Sequence, residues 1–390
     1  MATRAAQGAG TIRKKTVTRK GKQYTYWEAR VTTGRDPGTG KQLQRSFTGK
    51  TQAEVRKKLQ ATTVAVDQGT YTEPTRLTAG EWLDIWTEDY LGNVKPATAL
   101  VYRNNVRKHI KPALGAVRLS ELRPHAVQHF VNGLSGLSTA SVRLAYKVLH
   151  MALEKAVELD YLPKNPAARC VLPKLEQKEI IPLDDKQVST LLKAAQGSEL
   201  EYLVTVALFT GLRLSELLGL TWDAINFQNG TITVNKQLAL PTFRESSGLF
   251  LSPKNGKSRT ITPAASVMAT LKRQRARQAE MRLKAGAIWS SSADLVFTDE
   301  MGCPLDQWKV GKRFSALLCS TGLDGVRFHD LRHTYAVNAI RAGDDIKTIQ
   351  GNLGHASAAF TLDRYGHFTE QMKLDSAARM EGFMKDVLNL

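Results

Sequence analysis

A polar stretch bracketed by two prolines, Pro173–Pro182, divides this chain of 390 residues into two differently patterned parts. Its charged composition is typical of an interdomain linker rather than of a buried element. Apolar residues recur at helical spacing before it, over 77–172, whereas the part after it mixes helix and strand patterns. We therefore expect separate domains, each with its own core, rather than one continuous core.

The segment before the linker is predicted to be wholly helical. Its clearest helix begins after the capping residue Ser138 and covers Thr139–Leu159. A single apolar stripe runs along that helix, formed by Val142, Ala145, Leu149, Leu153, Ala156 and Val157. A stripe at this spacing indicates a packed core face rather than a cofactor site. Four basic side chains are hypothetical DNA contacts, with a solvated surface role as the alternative: Arg103, Arg107, Arg143 and Lys147.

Residues 1–72 are strongly basic, with 15 Lys and Arg against 4 Asp and Glu, a net +11 out of +19 for the chain. Such an excess favours a nucleic acid as the partner. Alternating residues predict strands at Gly10–Arg19, Lys22–Val31 and Lys41–Phe47, and Thr51 is a predicted helix cap. We expect a small folded DNA-binding module, with an unfolded basic tail as the alternative. Its hypothetical contacts are Arg13, Lys22, Tyr24, Tyr26, Arg30 and Arg45.

Nothing in the composition favours a membrane protein. The longest apolar runs, such as Tyr202–Thr210, are well short of the roughly 20 residues that span a bilayer. The N-terminus lacks the apolar core of a signal peptide. Cys170, Cys303 and Cys319 show no Cys-x-x-Cys spacing and are expected to be reduced, buried or half-buried thiols. Cytoplasm is the expected compartment.

Residues 183–390 are predicted to form a mixed α/β, mainly helical domain, and they hold the side chains capable of chemistry. Arg213 and Glu216 are three apart on a predicted helix, where a surface ion pair is the simplest interpretation. Lys254 precedes Asn255-Gly256, a strong hairpin signal, so it is expected at the tip of a turn. Each of these features alone is compatible with an ordinary surface.

The motif HDLRH places His329 and His333 four residues apart, a spacing that suggests zinc. However, the residue after the first histidine is Asp330 rather than the Glu of zinc hydrolases, and Arg332 lies between the histidines. No further ligand at metal spacing completes a set, so a metal is not expected. An anion fits better, because His329 and Arg332 fall at the start of a predicted helix, where free N–H groups attract phosphate.

Four sequence patterns taken together are far more specific than any one of them. TGLRLSE at 210–216, HDLRHT at 329–334, Leu353-Gly354-His355 and Tyr365 ten residues later resemble the motifs of the tyrosine recombinases, most closely the phage-type integrases. The resemblance covers the helical and catalytic domains, and the front module is less specifically similar to an arm-site-binding domain. It implies an arm-binding domain at 1–72, a core-binding domain at 77–172, a linker at 173–182 and a catalytic domain at 183–390.

The resemblance also implies a role for each reactive side chain. Tyr365 would be the nucleophile, and Arg213 and Arg332 the phosphate clamps. Lys254 would be the general acid, although Lys257 lies across the same turn. His329 and His355 would be phosphate ligands or proton movers, and Glu216 would support the arginine. Neither a metal nor a cofactor is implied.

The implied partners are double-stranded DNA at core and arm sites and three further copies of the chain, in a tetramer in the nucleoid of a bacterial host. A host DNA-bending protein and an excision factor are further expected partners. The last helix, 374–390, has an apolar face that would dock on a neighbouring protomer or pack on its own domain. Two alternatives to an integrase remain: a type IB-like topoisomerase, and a non-catalytic DNA-binding regulator.

Overall fold

The computed structural model describes residues 10–19, 22–35, 38–68, 76–175, 181–244, 248–290, 293–319, 321–355, 357–365 and 370–388. The chain divides into two compact units, residues 1–177 and 178–390. Part of the predicted linker, residues 176–180, lies outside the described ranges. So does Gly69, where the sequence predicts the end of the helix that Thr51 caps. None of the helices in these ranges is both long and apolar enough to cross a bilayer.

A small antiparallel sheet opens the first unit, with strands β1 Thr11–Arg19, β2 Lys22–Arg35 and β3 Gln42–Gly49 in that order. Helix α1, Gln52–Asp67, follows, and the Thr51 side chain caps it by accepting a hydrogen bond from the Glu54 N–H. Alternate strand residues face α1, so a small buried core forms from Ala29, Val31, Val55 and Leu59. The basic front segment is thus folded, as the strand alternation predicted.

The rest of the first unit is helical, with α2 Ala79–Asp89, α3 Pro96–Asn105, α4 Lys111–Leu114, α5 Pro124–Gly133 and α6 Thr139–Glu158. A π-helical turn, Val106–Ile110, joins α3 to α4. The apolar stripe predicted on α6 is buried, apart from the half-buried Val157. Trp82 packs into the same core, where its indole N–H donates to the Ala152 carbonyl at 2.9 Å.

The second unit contains helices α7 Asp185–Ala195, α8 Glu201–Thr210, α9 Leu214–Leu218, α10 Ala265–Ala285, α11 Gln307–Leu318, α12 Asp330–Arg341, α13 Ile346–Leu353, α14 Ala358–Tyr365 and α15 Glu370–Leu388. Helix α8 is apolar on nearly all sides because it packs against α7, α10 and α12. The Asp184 side chain caps α7 by accepting a hydrogen bond from the Gln187 N–H. Cys170 and Cys303 are half-buried as expected, whereas Cys319 is exposed.

The strands of the second unit are short: β4 Ile225–Asn226, β5 Thr231–Val234, β6 Gln237–Leu238, β7 Phe250–Leu251 and β8 Arg259–Ile261. Asn255-Gly256 was expected to be the turn of a hairpin between the two strand halves, and this is wrong. Strand β7 pairs with β6, whereas β8 pairs with β5. The turn therefore joins two different sheets, because each flanking strand pairs with an earlier strand rather than with the other.

Helix α15 begins four residues earlier than predicted, and its apolar side chains are solvent-exposed. Met380, Phe383, Met384, Val387 and Leu388 are each between 48% and 62% exposed. The alternative in which this face packs on its own domain is thus not what the structure shows.

Candidate active site

The turn after helix α13, residues 353–355, is the point where distant parts of the second unit meet. The Leu353 carbonyl accepts a hydrogen bond from Arg332 at 2.6 Å. The Gly354 carbonyl accepts one from the Asn255 side chain at 2.9 Å and lies 3.5 Å from the Arg213 guanidinium. Three segments that carry predicted site residues are therefore hydrogen-bonded to this one turn.

Two glycines allow this close approach. Gly211 ends α8 and Gly354 ends α13, both with positive φ (64° and 63°), a conformation that costs glycine little. A Cβ on Gly211 would lie 2.4 Å from the Tyr335 ring, and one on Gly354 would lie 2.8 Å from the Arg259 guanidinium. Both positions of the sequence motifs thus require glycine for backbone and packing reasons.

Arg332 is a buried cation, only 3% exposed. Its guanidinium donates to the carbonyls of Gly211 at 2.7 Å and Leu353 at 2.6 Å, which fix its direction. Burial, reinforced by the positive charge of Arg213, lowers the pKa of Arg332 to about 9. The group is still charged at neutral pH, and a buried charge of this kind is stabilised by an anion.

Glu216 is buried between two arginines. Arg213 donates to it from its guanidinium at 2.8 Å and from its backbone N–H at 2.9 Å. Arg259 donates to both carboxylate oxygens, at 3.0 and 2.7 Å. Burial alone would raise the pKa of Glu216, but the hydrogen bond and charge of Arg259, followed by those of Arg213, hold it at about 2. Glu216 therefore remains ionised and orients Arg213.

Sequence reasoning missed Arg259. It lies in β8, where the alternating pattern and the neighbouring Lys254 and Lys257 make it look like one more basic surface residue. Its Nε also donates to the Asn352 carbonyl at 2.8 Å, so it links β8 to both α9 and α13. Its role follows only from its contact with Glu216, which lies 43 residues upstream. No local spacing in the sequence indicates that contact.

The two histidines proposed from the sequence are both neutral at physiological pH. Burial, followed by the charge of Arg332, lowers the pKa of His329, and the same two causes lower that of His355 to about 3. The His355 Nδ1 lies 2.8 Å from the Thr361 hydroxyl. These imidazoles can hydrogen-bond a phosphate, but they do not add positive charge to the site.

Tyr365 is the last residue of α14 and is 1% exposed. Its hydroxyl lies 2.6 Å from the His333 Nδ1, and its ring stacks on His355 with centroids 6.4 Å apart. The sequence had suggested His333 only as a zinc ligand. The four-residue spacing of HDLRH was the available signal, because it places His333 one helical turn from His329 on α12. The two rings meet edge to face at 5.0 Å.

The lysines of the 253–257 turn are exposed. A cleft of about 540 Å3 in front of the turn is lined by Arg213, Asn255, Lys257, Arg259, Gly354 and His355 among others. Lys257 thus borders the cleft directly, while Lys254 lies at the start of the same turn. The choice between them stays open. Across the described ranges, no group of three His, Cys, Asp or Glu side chains is placed to hold a metal ion.

The predicted DNA contacts of the front module do not all share one face of the sheet. Cross-strand pairs place Arg13 opposite Glu28 and Thr11 opposite Arg30, and the even-numbered β2 residues Lys22, Tyr24 and Tyr26 lie on that face. Arg45 pairs with Val31 on the other face, towards α1, and stacks on Phe47 at 5.1 Å. Arg13, Lys15 and Arg30 surround the buried Glu28 carboxylate.

In the helical part of the first unit, three of the four proposed DNA contacts already have protein partners. Arg103 donates to the Thr87 carbonyl, Arg107 to Asn104 and Arg143 to the Pro173 carbonyl. Lys147 is exposed on α6. Whether any of them touches DNA stays a prediction.

Two family profiles and several relatives match the chain. The phage integrase family profile matches residues 182–372, and the phage integrase N-terminal SAM-like domain matches residues 78–135. A tyrosine recombinase XerC-like protein from Caldanaerobacter subterraneus subsp. tengcongensis is 29% identical over 370 residues, covering 90% of this chain and 94% of that protein. An integrase from Streptomyces ambofaciens is 27% identical, covering 92% and 94%.

Solved structures show the same fold. The Tn1549 transposon integrase in complex with transposon right end DNA has a TM-score of 0.65 at 24% identity, covering 78% of this chain and all of that one. A lambda integrase dimer bound to a core site has a TM-score of 0.60 at 19% identity, covering 90% and 94%. Profile, relatives and fold thus coincide, and the chain belongs to the phage integrase family of tyrosine recombinases.

Proposed function

We propose that this recombinase is an integrase that cleaves and rejoins DNA through a 3′-phosphotyrosyl bond at Tyr365, to insert and excise a mobile element. The observation that carries the proposal is the convergence of Arg213, Arg332 and Tyr365 around the turn at 353–355. Two guanidiniums held by backbone carbonyls and a buried carboxylate, beside a tyrosine, suit in-line attack on a phosphodiester.

The arginines address the main energetic obstacle. A free tyrosine has a pKa near ~10, so forming its phenolate at pH 7 costs roughly 4 kcal/mol. Nearby cations lower that cost, and the same cations stabilise the charge that grows on the non-bridging phosphate oxygens during attack. Glu216 keeps Arg213 in place without neutralising Arg332.

The second obstacle is the departing 5′ oxygen, which is a poor leaving group unless it is protonated. A lysine from the exposed turn, Lys254 or Lys257, donates that proton and contributes ~10²–10⁴ in rate. His329 and His355, both neutral, hydrogen-bond the phosphate. The bond energy is stored in the phosphotyrosine, so a second DNA end reverses the step without ATP.

The partners follow from charge and family. The exposed face of the front sheet binds arm-site DNA, and the helical domain and the catalytic unit each contact the core site. The structure of a lambda integrase tetramer bound to a Holliday junction supports a tetrameric working form here too. A host DNA-bending protein, an excision factor and a nucleoid location in bacteria complete the proposal.

The test uses nicked duplex suicide substrates carrying the ends of the element that encodes the protein. Wild type is expected to form a covalent protein–DNA adduct, and Tyr365→Phe to bind the DNA without forming one. An adduct with Tyr365→Phe would place the nucleophile elsewhere. No adduct with wild type on its own site would favour a DNA-binding regulator, and relaxation of supercoils without strand exchange would favour a type IB-like topoisomerase.

A further inference from the structure

We propose that His333 is the residue that takes the phenolic proton from Tyr365 during strand cleavage and returns it during rejoining. This inference rests on the proposed function, because it assumes that Tyr365 is the nucleophile. The contact that carries it is the 2.6 Å approach of the His333 Nδ1 to the Tyr365 hydroxyl.

The geometry suits a proton acceptor. A separation of 2.6 Å is within the range for direct proton transfer between heavy atoms. With the ring proton on Nε2, Nδ1 offers its lone pair to the hydroxyl, which then donates the hydrogen bond. Tyr365 is 1% exposed, which leaves bulk water little access to compete for the proton.

Within the described ranges, the other two histidines near Tyr365 are less suited to this step. His355 stacks on the tyrosine ring, and its Nδ1 faces the Thr361 hydroxyl rather than the phenol. Its low pKa, caused by burial and then by Arg332, also makes it a poor base. The His329 and His333 rings meet edge to face, so His329 can orient that imidazole.

The step balances without any further reagent. The Tyr365 oxygen forms its bond to phosphorus as its proton passes to His333, which becomes imidazolium. The bond from phosphorus to the 5′ oxygen breaks, and that oxygen takes a proton from the lysine of the 253–257 turn. Rejoining runs backwards: the 5′ hydroxyl attacks phosphorus as its proton returns to the lysine, the phenolate leaves, and His333 protonates it.

The test separates a base at the nucleophile from an acid at the leaving group. Single-turnover cleavage is measured on a normal suicide substrate and on one with sulfur in place of the bridging 5′ oxygen, because a thiolate leaves without protonation. His333→Gln can still accept a hydrogen bond from the phenol but cannot take its proton at neutral pH. We expect His333→Gln to cleave both substrates ~10²–10⁴-fold more slowly than wild type. Of Lys254→Ala and Lys257→Ala, the variant that slows cleavage of the normal substrate should cleave the sulfur substrate at the wild-type rate.

The inference would be overturned if His333→Gln cleaved the sulfur substrate, or the normal substrate, at the wild-type rate. Either result would still leave Tyr365 as nucleophile. If the glutamine variant folds or binds DNA poorly, His333→Ala with added imidazole decides: restored cleavage supports a proton acceptor, and no restoration in a folded, DNA-bound variant refutes it. Absence of any wild-type adduct would instead remove the proposed function, and this inference with it.

Discussion

Arg259 holds Glu216 with two hydrogen bonds of 3.0 and 2.7 Å, although 43 residues separate the two along the chain. The carboxylate that orients Arg213 is therefore itself oriented from strand β8. Because Arg259 also donates to the Asn352 carbonyl, this one side chain connects Glu216 and Arg213 to the turn at 353–355.

Replacing Arg259 with alanine should weaken both the fold and the chemistry. Removing one partner of a buried ion pair typically costs ~3–5 kcal/mol, and Arg213 would lose its alignment. Urea unfolding and single-turnover cleavage measure the two effects. Arg259→Lys should restore only part of either, because an ammonium cannot span both carboxylate oxygens. The exposed pair Arg313–Glu199 is the matched control, and Arg313→Ala should cost no more than ~1 kcal/mol. Equal effects of the two alanine variants would contradict this role.

Gly354→Ala is expected to reduce cleavage more than its strain alone explains. Its Cβ would meet the Arg259 guanidinium at 2.8 Å, so Arg259 must shift and release Glu216. Gly343 also has positive φ (96°), but nothing lies within 4 Å of its Cβ position. Gly343→Ala therefore reports the backbone strain alone, of order 1 kcal/mol or somewhat more. Parallel cleavage assays and thermal melts of both variants test this, and equal cleavage rates would show that the Arg259 contact is unimportant.

The second unit should lose stability as pH falls from neutrality towards 3. His355 is surrounded by Arg332, Arg213, His333 and Arg259, and its folded pKa of about 3 lies below its ordinary value of 6.5. The unfolded chain therefore binds a proton more readily between those values, so stability is full above about 6.5 and decreases below it. His355→Gln should flatten this dependence in urea titrations at pH 7, 6 and 5. His125→Gln, an exposed histidine of the first unit, should leave it unchanged, and a slope unaffected by His355→Gln would refute the assignment.

Removing residues 380–390 should weaken assembly on DNA while leaving monomer binding largely intact. The apolar side chains on one face of α15 are exposed, and an exposed apolar patch is typical of a surface that binds a partner. Phe383→Ser with Val387→Ser should act like the truncation, and Asp386→Ser, off that face, should not. Gel-shift assays measure the amount of synaptic complex that each variant forms. Unchanged synapsis by the truncated protein would rule out the docking role.

Deleting residues 1–72 should reduce the salt dependence of binding to DNA that carries arm sites. Each phosphate contact that is lost decreases the slope of log affinity against log salt by about 0.9. Lys22→Gln, on the exposed face of the sheet, should decrease the slope by roughly one contact. Arg45→Gln, on the face towards α1, should not alter it. A slope unchanged by the deletion would mean that this module does not touch DNA.

The sequence by itself determined the division into differently patterned parts, the capped helices, the buried stripe of α6 and the set of candidate site residues. These depend on local spacing, capping and periodicity, which neighbouring residues impose on one another. Only the tertiary structure decided which side chains meet. Arg259 reaches Glu216 and His333 reaches Tyr365 across 43 and 32 residues, and the strands flanking Asn255-Gly256 pair elsewhere. Contacts of that range depend on how helices and sheets pack, which no local pattern encodes.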